Sequence, residues 1–343
     1  MYEVVIHSGP KAEVVQSPIP KPKPDQLVIK VIVSGSNPKD WKYPEWTEAV
    51  INQGDDIAGI VHEVGSGVTE FKIGARVAAF HEMATPGGSY AEYAVSWAHT
   101  TFHLPEKTTY EEASTIPLAA LTASLALFGR LSLPTPFSPA KEKIPLIIYG
   151  GSSAVGAFAI KLAQKANIHP LFVVAGSGTS FVEKLIDSSK GDRIIDYRPG
   201  IDHVVDEIYK TAKASGEETI KYALDSITLD ATYGAIAKVL DSKEGQFTGV
   251  LPFNENVFPS TVTTSMTNVG SVHSPKVPGD EDLGFVFSRL FSKGLKEGWF
   301  SGHPHEVVRN GLEGVEEALK NLKDGKNSAS KYVFRVKDTP GLK

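Results

Sequence analysis

The sequence predicts an α/β protein in which a β-rich domain is interrupted by a doubly wound parallel-sheet domain. Three observations carry this. The first 120 or so residues are short β-branched runs broken by Gly and Pro. From about residue 145 strand-like and helix-like segments take turns. The last seventy residues end in one helix-like and one strand-like segment, which have too little apolar surface to fold alone.

The β-rich part rests on "QLVIKVIVS" (26–34), "DIAGIVHEVG" (56–65), "ARVAAF" (75–80) and "GSYAEYAV" (88–95), all with strand composition. "SPIPKPKPD" is an extended surface edge, since alternate prolines remove the donors a central strand needs. The apolar stretch "EEASTIPLAALTASLALFGRL" reads as helical, and the Pro-rich "SLPTPFSPAKEKIP" after it marks a boundary. Then follow "LIIYG", "SAVGAFAIKLAQKAN", "PLFVVAG", "TSFVEKLIDSSK", "RIIDY", "DHVVDEIYKTAKASG", "IKYALDS", "LDATYGAIAKVLD", "GQFTGVL" and "TVTTSMTNVGSV". Such alternation predicts parallel strands joined by right-handed helical crossovers. "GVEEALKNLKDGKNSASKYVFRV" is expected to return to the first domain. The expected division is 1–124 with 271–343, and 125–270.

A chain of 343 residues can bury a large core. Its formal net charge of −5 gives no electrostatic reason to expect nucleic acid or an anionic membrane as partner. No apolar run approaches the roughly 18 residues of a membrane span, and no basic segment leads into an apolar one at the N-terminus, so a cytoplasmic location is expected. Cysteine is absent, which excludes disulfides, thiolate nucleophiles and cysteine-ligated zinc.

The stretch "IPLIIYGGSSAVGAFAIKLAQKAN" (144–167) is the strongest local signal. Ile144 to Tyr149 reads as a strand and Ala154 to Ala166 as a helix, joined by a glycine turn. At the carboxyl end of the first sheet strand, a helix N-terminus directs unpaired N–H groups at an entering pyrophosphate. Gly150, Gly151, Ser152, Ser153, Ala154, Val155 and Gly156 are the cradle candidates. In the G-x-G-x-x-G frame, Gly151 and Gly156 flank Ser153, which replaces the middle glycine and whose hydroxyl is a possible phosphate donor. The competing reading is a plain turn in which Ser152 caps the helix.

An NAD site usually places Asp or Glu at the end of the second strand, to hold the ribose hydroxyls. No acidic residue lies between Gly156 and Glu183; Ser177, Thr179 and Ser180 stand there instead. With Lys184 or Arg198 within reach, this favours the 2′-phosphate of NADPH.

"SNPKDWK" (36–42), "GDDIAGIVHEVGSGV" (54–68), "GSYAEYAV", "IPLAALTA" (116–123), "YGGSSAVG" (149–156) and "DRIIDYR" (192–198) occur in the order found in the medium-chain dehydrogenase/reductases. Over nearly its full length the chain resembles that superfamily, in which a GroES-like catalytic domain is interrupted by a Rossmann domain. It is most similar to the zinc-free quinone oxidoreductase branch, and there to fungal trans-acting enoyl reductases of the ToxD type.

The resemblance implies that Asn37 stands where zinc-dependent relatives carry a catalytic cysteine. Asp55 stands in place of a histidine ligand, and Asp56 at the glutamate that follows it. No metal is therefore expected. Without a Lewis acid, conjugated acceptors suit the site better than alcohols, because the charge spreads onto an enolate oxygen. The resemblance places Asn37, Asp40 and Lys42 beside the nicotinamide ribose and substrate, with Lys42 the best proton donor, and Thr122 at the nicotinamide. It places Val250 and Leu251 ("GVLP", 249–252) and Ser271 and Val272 ("VGSVH", 269–273) along the same cleft. Tyr197 and Lys331 look like adenosine-phosphate contacts, and Trp41, Tyr43 and Trp46 like pocket walls. The expected activity is zinc-independent, NADPH-dependent reduction of an enoyl or enone C=C bond, on a small or carrier-bound substrate, by a monomer or homodimer. Quinone or aldehyde/ketone reduction is the alternative, and a non-catalytic NADPH-binding protein is the alternative of another class.

Overall fold

Strand Gln26–Gly35 organises the first unit, because Lys30 alone among its ten residues is exposed. Such a strand must be covered on both faces. It pairs antiparallel with Asp56–Val64, with Tyr93–Trp97 and with Lys331–Arg335. The seven-stranded sheet runs His305–Val308, Lys331–Arg335, Gln26–Gly35, Asp56–Val64, Arg76–Phe80, Thr101–His103, with Tyr93–Trp97 off this path. The computed structural model describes residues 1–216, 219–274 and 276–342. The chain divides into two units, Met1–Leu121 with Gly270–Lys343, and Thr122–Val269.

The returning C-terminal segment joins the first unit through the core. Leu312, Val315, Ala318, Leu319 and Phe334 are buried together with Val4, Ile29, Val31, Ile57 and Tyr90. The second unit is a six-stranded, wholly parallel sheet: Arg193–Asp196, Leu171–Ala175, Leu146–Tyr149, Tyr222–Asp225, Gln246–Gly249, Thr263–Met266. In the unit's own strand numbers this is 3-2-1-4-5-6, the doubly wound order whose switch point lies beside the first strand.

Several local expectations change. The "GSYAEYAV" strand is shifted: regular pairing spans Tyr93–Trp97, while Gly54 accepts from Ser89 and Asn52 from Tyr90. The stretch from Tyr110 is three pieces: helices Tyr110–Ala113 and Pro117–Ser124, then a π-helical segment, Leu125–Arg130. Pro117 accounts for the first break, since it suits only the first turn of a helix. By length and composition Tyr110–Arg130 passes for a membrane span, against the expectation that no run approaches one, but 89% of its apolar window is buried in the protein. "TSFVEKLIDSSK" keeps only the short helix Thr179–Val182 and a 3₁₀ turn, Ser188–Lys190. The tail adds a helix the sequence reading did not single out, Asp280–Glu297, which buries Phe287, Leu290, Phe291 and Leu295.

Candidate active site

In the first unit, strand register assembles a buried polar cluster. Gly35 pairs with Asp56 on one side and with Val333 on the other. As the chain leaves this strand, the N–H and hydroxyl of Ser36 both donate to the Tyr332 carbonyl at 3.0 Å. Asn37, Asp56 and Lys331 thereby meet. Lys331 Nζ donates to Asp56 Oδ2 at 2.5 Å and to Asn37 Oδ1 at 3.0 Å. Asn37 Nδ2 donates to the same Asp56 oxygen at 2.7 Å. The other oxygen, Oδ1, accepts the Leu118 N–H at 2.7 Å. A Cβ at position 35 would stand 2.2 Å from the Ser114 carbonyl oxygen and 3.2 Å from Lys331 Cε, so the backbone of Ser114 is what requires glycine here.

A second group adjoins it. Lys39 Nζ pairs with Asp55, donates to the Gln53 carbonyl at 2.6 Å and lies 3.3 Å from Asp40 Oδ1. Asp40 Oδ2 accepts the Asn37 N–H at 2.7 Å and the Tyr90 hydroxyl at 2.6 Å. Asp40, Asp55 and Asp56 are each 1% exposed or less. Charges this deep are tolerated only when paired. Burial pushes the Asp40 carboxyl up to about 7 and that of Asp55 to about 6, with the Lys39 ammonium opposing both shifts. Burial disfavours the Lys39 ammonium too, but Asp55 and Asp40 hold its pKa above the ordinary lysine value.

Lys331 is 4% exposed, and its ammonium is bonded to Asp56 and Asn37. Asp40 is fully buried and accepts the Asn37 backbone N–H. Lys42 is half-buried with its ammonium 5.5 Å from the centre of the Trp41 ring, and desolvation lowers its pKa. Trp41 packs against the first unit's core with Lys323 also over its ring, whereas Trp46 is exposed.

In the second unit the glycine turn links strand Leu146–Tyr149 to helix Ala154–Lys165. Gly150 has φ +81°, the left-handed region that glycine tolerates best. The N–H groups of Gly150 and Gly151 both donate to the Val174 carbonyl, and that of Ser153 donates to Gly150. Ser153, not Ser152, is the N-cap: its Oγ accepts the Gly156 N–H at 3.0 Å and lies 3.0 Å from Ser226 Oγ. Its expected role as a phosphate donor thus competes with two contacts inside the protein. The amides of Ala154 and Val155, in the helix's first turn, have no intrahelical acceptor. Glycine is required at 151 and 156, where a Cβ would lie 2.1 Å from Val173 Cγ1 and 2.3 Å from the Gly150 carbonyl oxygen.

Beyond the second strand of this unit, Leu171–Ala175, the chain turns through Gly176 and Ser177, and Thr179 Oγ1 donates to the Gly176 carbonyl at 2.6 Å. The Tyr197 ring lies where a Cβ on Gly176 would be, and is 45% exposed. Lys184 is exposed, while Arg198 is held by Asp196 through Nε and Nη2. Val250 follows strand Gln246–Gly249 and donates its N–H to Thr228 Oγ1 at 2.9 Å; Leu251 comes next. Thr122 lies in helix Pro117–Ser124 and is 5% exposed. In the first unit, the Val272 carbonyl lies 2.9 Å from His99 Nε2, and Ser271 Oγ donates to Asp280 Oδ2 at 2.5 Å.

Sequence reasoning passed over Lys39, Tyr90 and Ser226. Lys39 stood inside the quoted "SNPKDWK"; Tyr90 and Ser226 act across 50 and 73 residues, with no local signal. Among the described residues, no group of three or more His, Asp or Glu is arranged to hold a metal ion.

Residues 23–106 match the alcohol dehydrogenase GroES-like domain family. Over 313 residues, 90% of each chain, the sequence is 48% identical to the trans-enoyl reductase fsr4 of Gibberella fujikuroi. It is 31% identical over 356 residues to the trans-enoyl reductase resD of Aspergillus sclerotiorum, covering 96% of this chain and 98% of that one. In fold it is similar to an alcohol dehydrogenase superfamily protein from Novosphingobium aromaticivorans, with TM-score 0.80 and 20% identity over 98% and 99% of the two chains.

Proposed function

The chain belongs to the trans-enoyl reductases of the medium-chain dehydrogenase/reductase superfamily, and from that premise we propose that it reduces an enoyl thioester with NADPH and without zinc. One observation carries the cofactor choice: the second strand of the parallel sheet leads into Ser177 and Thr179, with no carboxylate before Glu183 to repel a 2′-phosphate. The residues present fit the dinucleotide. Gly151 and Gly156 leave the space, and the amides of Ala154 and Val155 would meet the pyrophosphate. Tyr197 and Thr179 would border the adenosine, and Val250, Leu251 and Thr122 the nicotinamide end.

Zinc does not fit. Asp55 and Asp56 already bear the ammonium groups of Lys39 and Lys331, and Asn37 offers an amide where a thiolate would be needed. Two internal cations in contact with these carboxylates oppose a third.

When bound, NADPH supplies the hydride that adds to the β-carbon. The chain must then stabilise the charge that gathers on the carbonyl oxygen and deliver one proton to the α-carbon, giving a saturated thioester. Lys42 suits both tasks. Its ammonium donates to the developing enolate oxygen, and its lowered pKa eases proton release. Asn37 works differently: both ends of its side-chain amide are used, one by Asp56 and one by Lys331, so it supports that ion pair.

The test follows NADPH and NADH oxidation with a trans-2-enoyl N-acetylcysteamine thioester, together with fluorescence titration of both cofactors. Tighter NADPH binding and a saturated thioester product are expected. Equal or tighter NADH binding would overturn the cofactor choice, and an alcohol product would assign carbonyl reduction instead.

A further inference from the structure

The first-turn N–H groups of helix Pro117–Ser124 have no acceptor within the helix itself. Ile116 precedes Pro117 and carries no polar atom, while the N–H of Leu118, in the first turn, needs an acceptor. Asp56 supplies it from 62 residues away, through Oδ1 at 2.7 Å. Its carboxylate also sits where a helix N-terminus favours negative charge. The remaining oxygen is held by Lys331 and by Asn37 Nδ2, so the carboxylate cannot rotate away from Leu118 without breaking two further bonds. Thr122 is four residues beyond Leu118 on the same helix.

We propose that Lys331 and Asp56 are positioning residues for the reduction: their buried ion pair caps Leu118 and so fixes the helix that carries Thr122. Asp56 acts on the helix, and Lys331 acts on Asp56; neither touches the reactants. This rests on the reading of Thr122 as a nicotinamide contact, and the experiment separates the two.

The first measurement is amide hydrogen exchange on the cofactor-free protein. Lys331→Met and Asp56→Ala are each expected to speed exchange in residues 118–124 by about 10-fold or more, while strand Leu171–Ala175 keeps its protection. Unchanged protection in 118–124 overturns the capping role whatever Thr122 does. Asp56→Ala removes the acceptor for the Leu118 N–H itself, so it serves if Lys331→Met does not fold.

The second measurement is a double-mutant cycle with Thr122→Ala, read as kcat/KM for NADPH and the same thioester below each variant's melting midpoint. Either positioning variant should lose about 10-fold, and adding Thr122→Ala should cost little more, because both act through one group. Losses that multiply overturn the positioning role and leave Thr122 a contact. Thr122→Ala with wild-type kinetics overturns the reading of Thr122, and with it the route by which the pair serves the reaction.

Discussion

Gly156 lies so close to Gly150 that a Cβ on the first would stand 2.3 Å from the carbonyl oxygen of the second. The contact is with backbone, and backbone in a turn whose amides are already bonded to Val174 and Gly150 cannot step aside cheaply. Gly156→Ala is therefore expected to lower the melting temperature and to weaken NADPH binding by about 10-fold or more. Thermal denaturation and fluorescence titration on the folded variant check this. Unaltered affinity would mean that the turn does not hold the cofactor.

Ser153 caps the helix that follows this turn. Ser153→Ala removes the acceptor for the Gly156 N–H and the Ser226 contact, and should cost about 0.5–2 kcal/mol of stability. Ser153→Gly should cost only a few tenths of a kcal/mol, since glycine is tolerated at an N-cap. Urea denaturation ranks the two, and the reverse order would contradict the capping geometry.

Metal removal should change nothing. With Lys39 and Lys331 paired to Asp55 and Asp56, the purified enzyme is expected to hold no stoichiometric zinc and to keep its activity in a chelator. Elemental analysis showing one zinc per chain, lost together with activity, would refute this.

Two sets of buried groups pull the pH dependence of stability in opposite directions. Burial lowers the pKa of His81, His99 and His273 in the folded protein. The unfolded chain takes up protons below about pH 6.5 that the folded one refuses, so these histidines cost stability as pH falls through that value. Asp40, raised to about 7, does the opposite: between about pH 7 and pH 4 the folded state holds a proton that the unfolded state lacks, and falling pH favours folding. Asp40→Asn should therefore lose stability more steeply in acid than the wild type, the difference growing by about 1 kcal/mol or more from pH 8 to pH 4. A difference independent of pH would show that Asp40 is ionised throughout. Urea titrations across the range measure it.

The parallel sheet was legible because its evidence is local. The central strands of the Thr122–Val269 unit are short buried runs such as "LIIY" and "LFVVA", and most crossovers carry a helical period. Where the crossover has little apolar surface, as in "TSFVEKLIDSSK", the reading failed and the helix stops after Val182. The glycine turn was equally plain, although the choice of Ser153 over Ser152 as cap depends on backbone angles that composition does not record.

The polar cluster is another matter. Its members come from residues 37–40, 55–56, 90 and 331, and nothing in any one segment says that they meet. A lysine opening a C-terminal strand reads as a cation free to bind phosphate. The pairing of Val333 with Gly35 brings the start of that strand beside Gly35 and Asp56, and the Lys331 ammonium is bonded to Asp56 and Asn37 instead. Short-range periodicity and turn chemistry determined the two-domain α/β architecture and the phosphate-type turn. Long-range strand register decided which charges are buried, which carboxylates they neutralise and which helix those carboxylates cap, since an ion pair exists only once both chains have been brought within bonding distance.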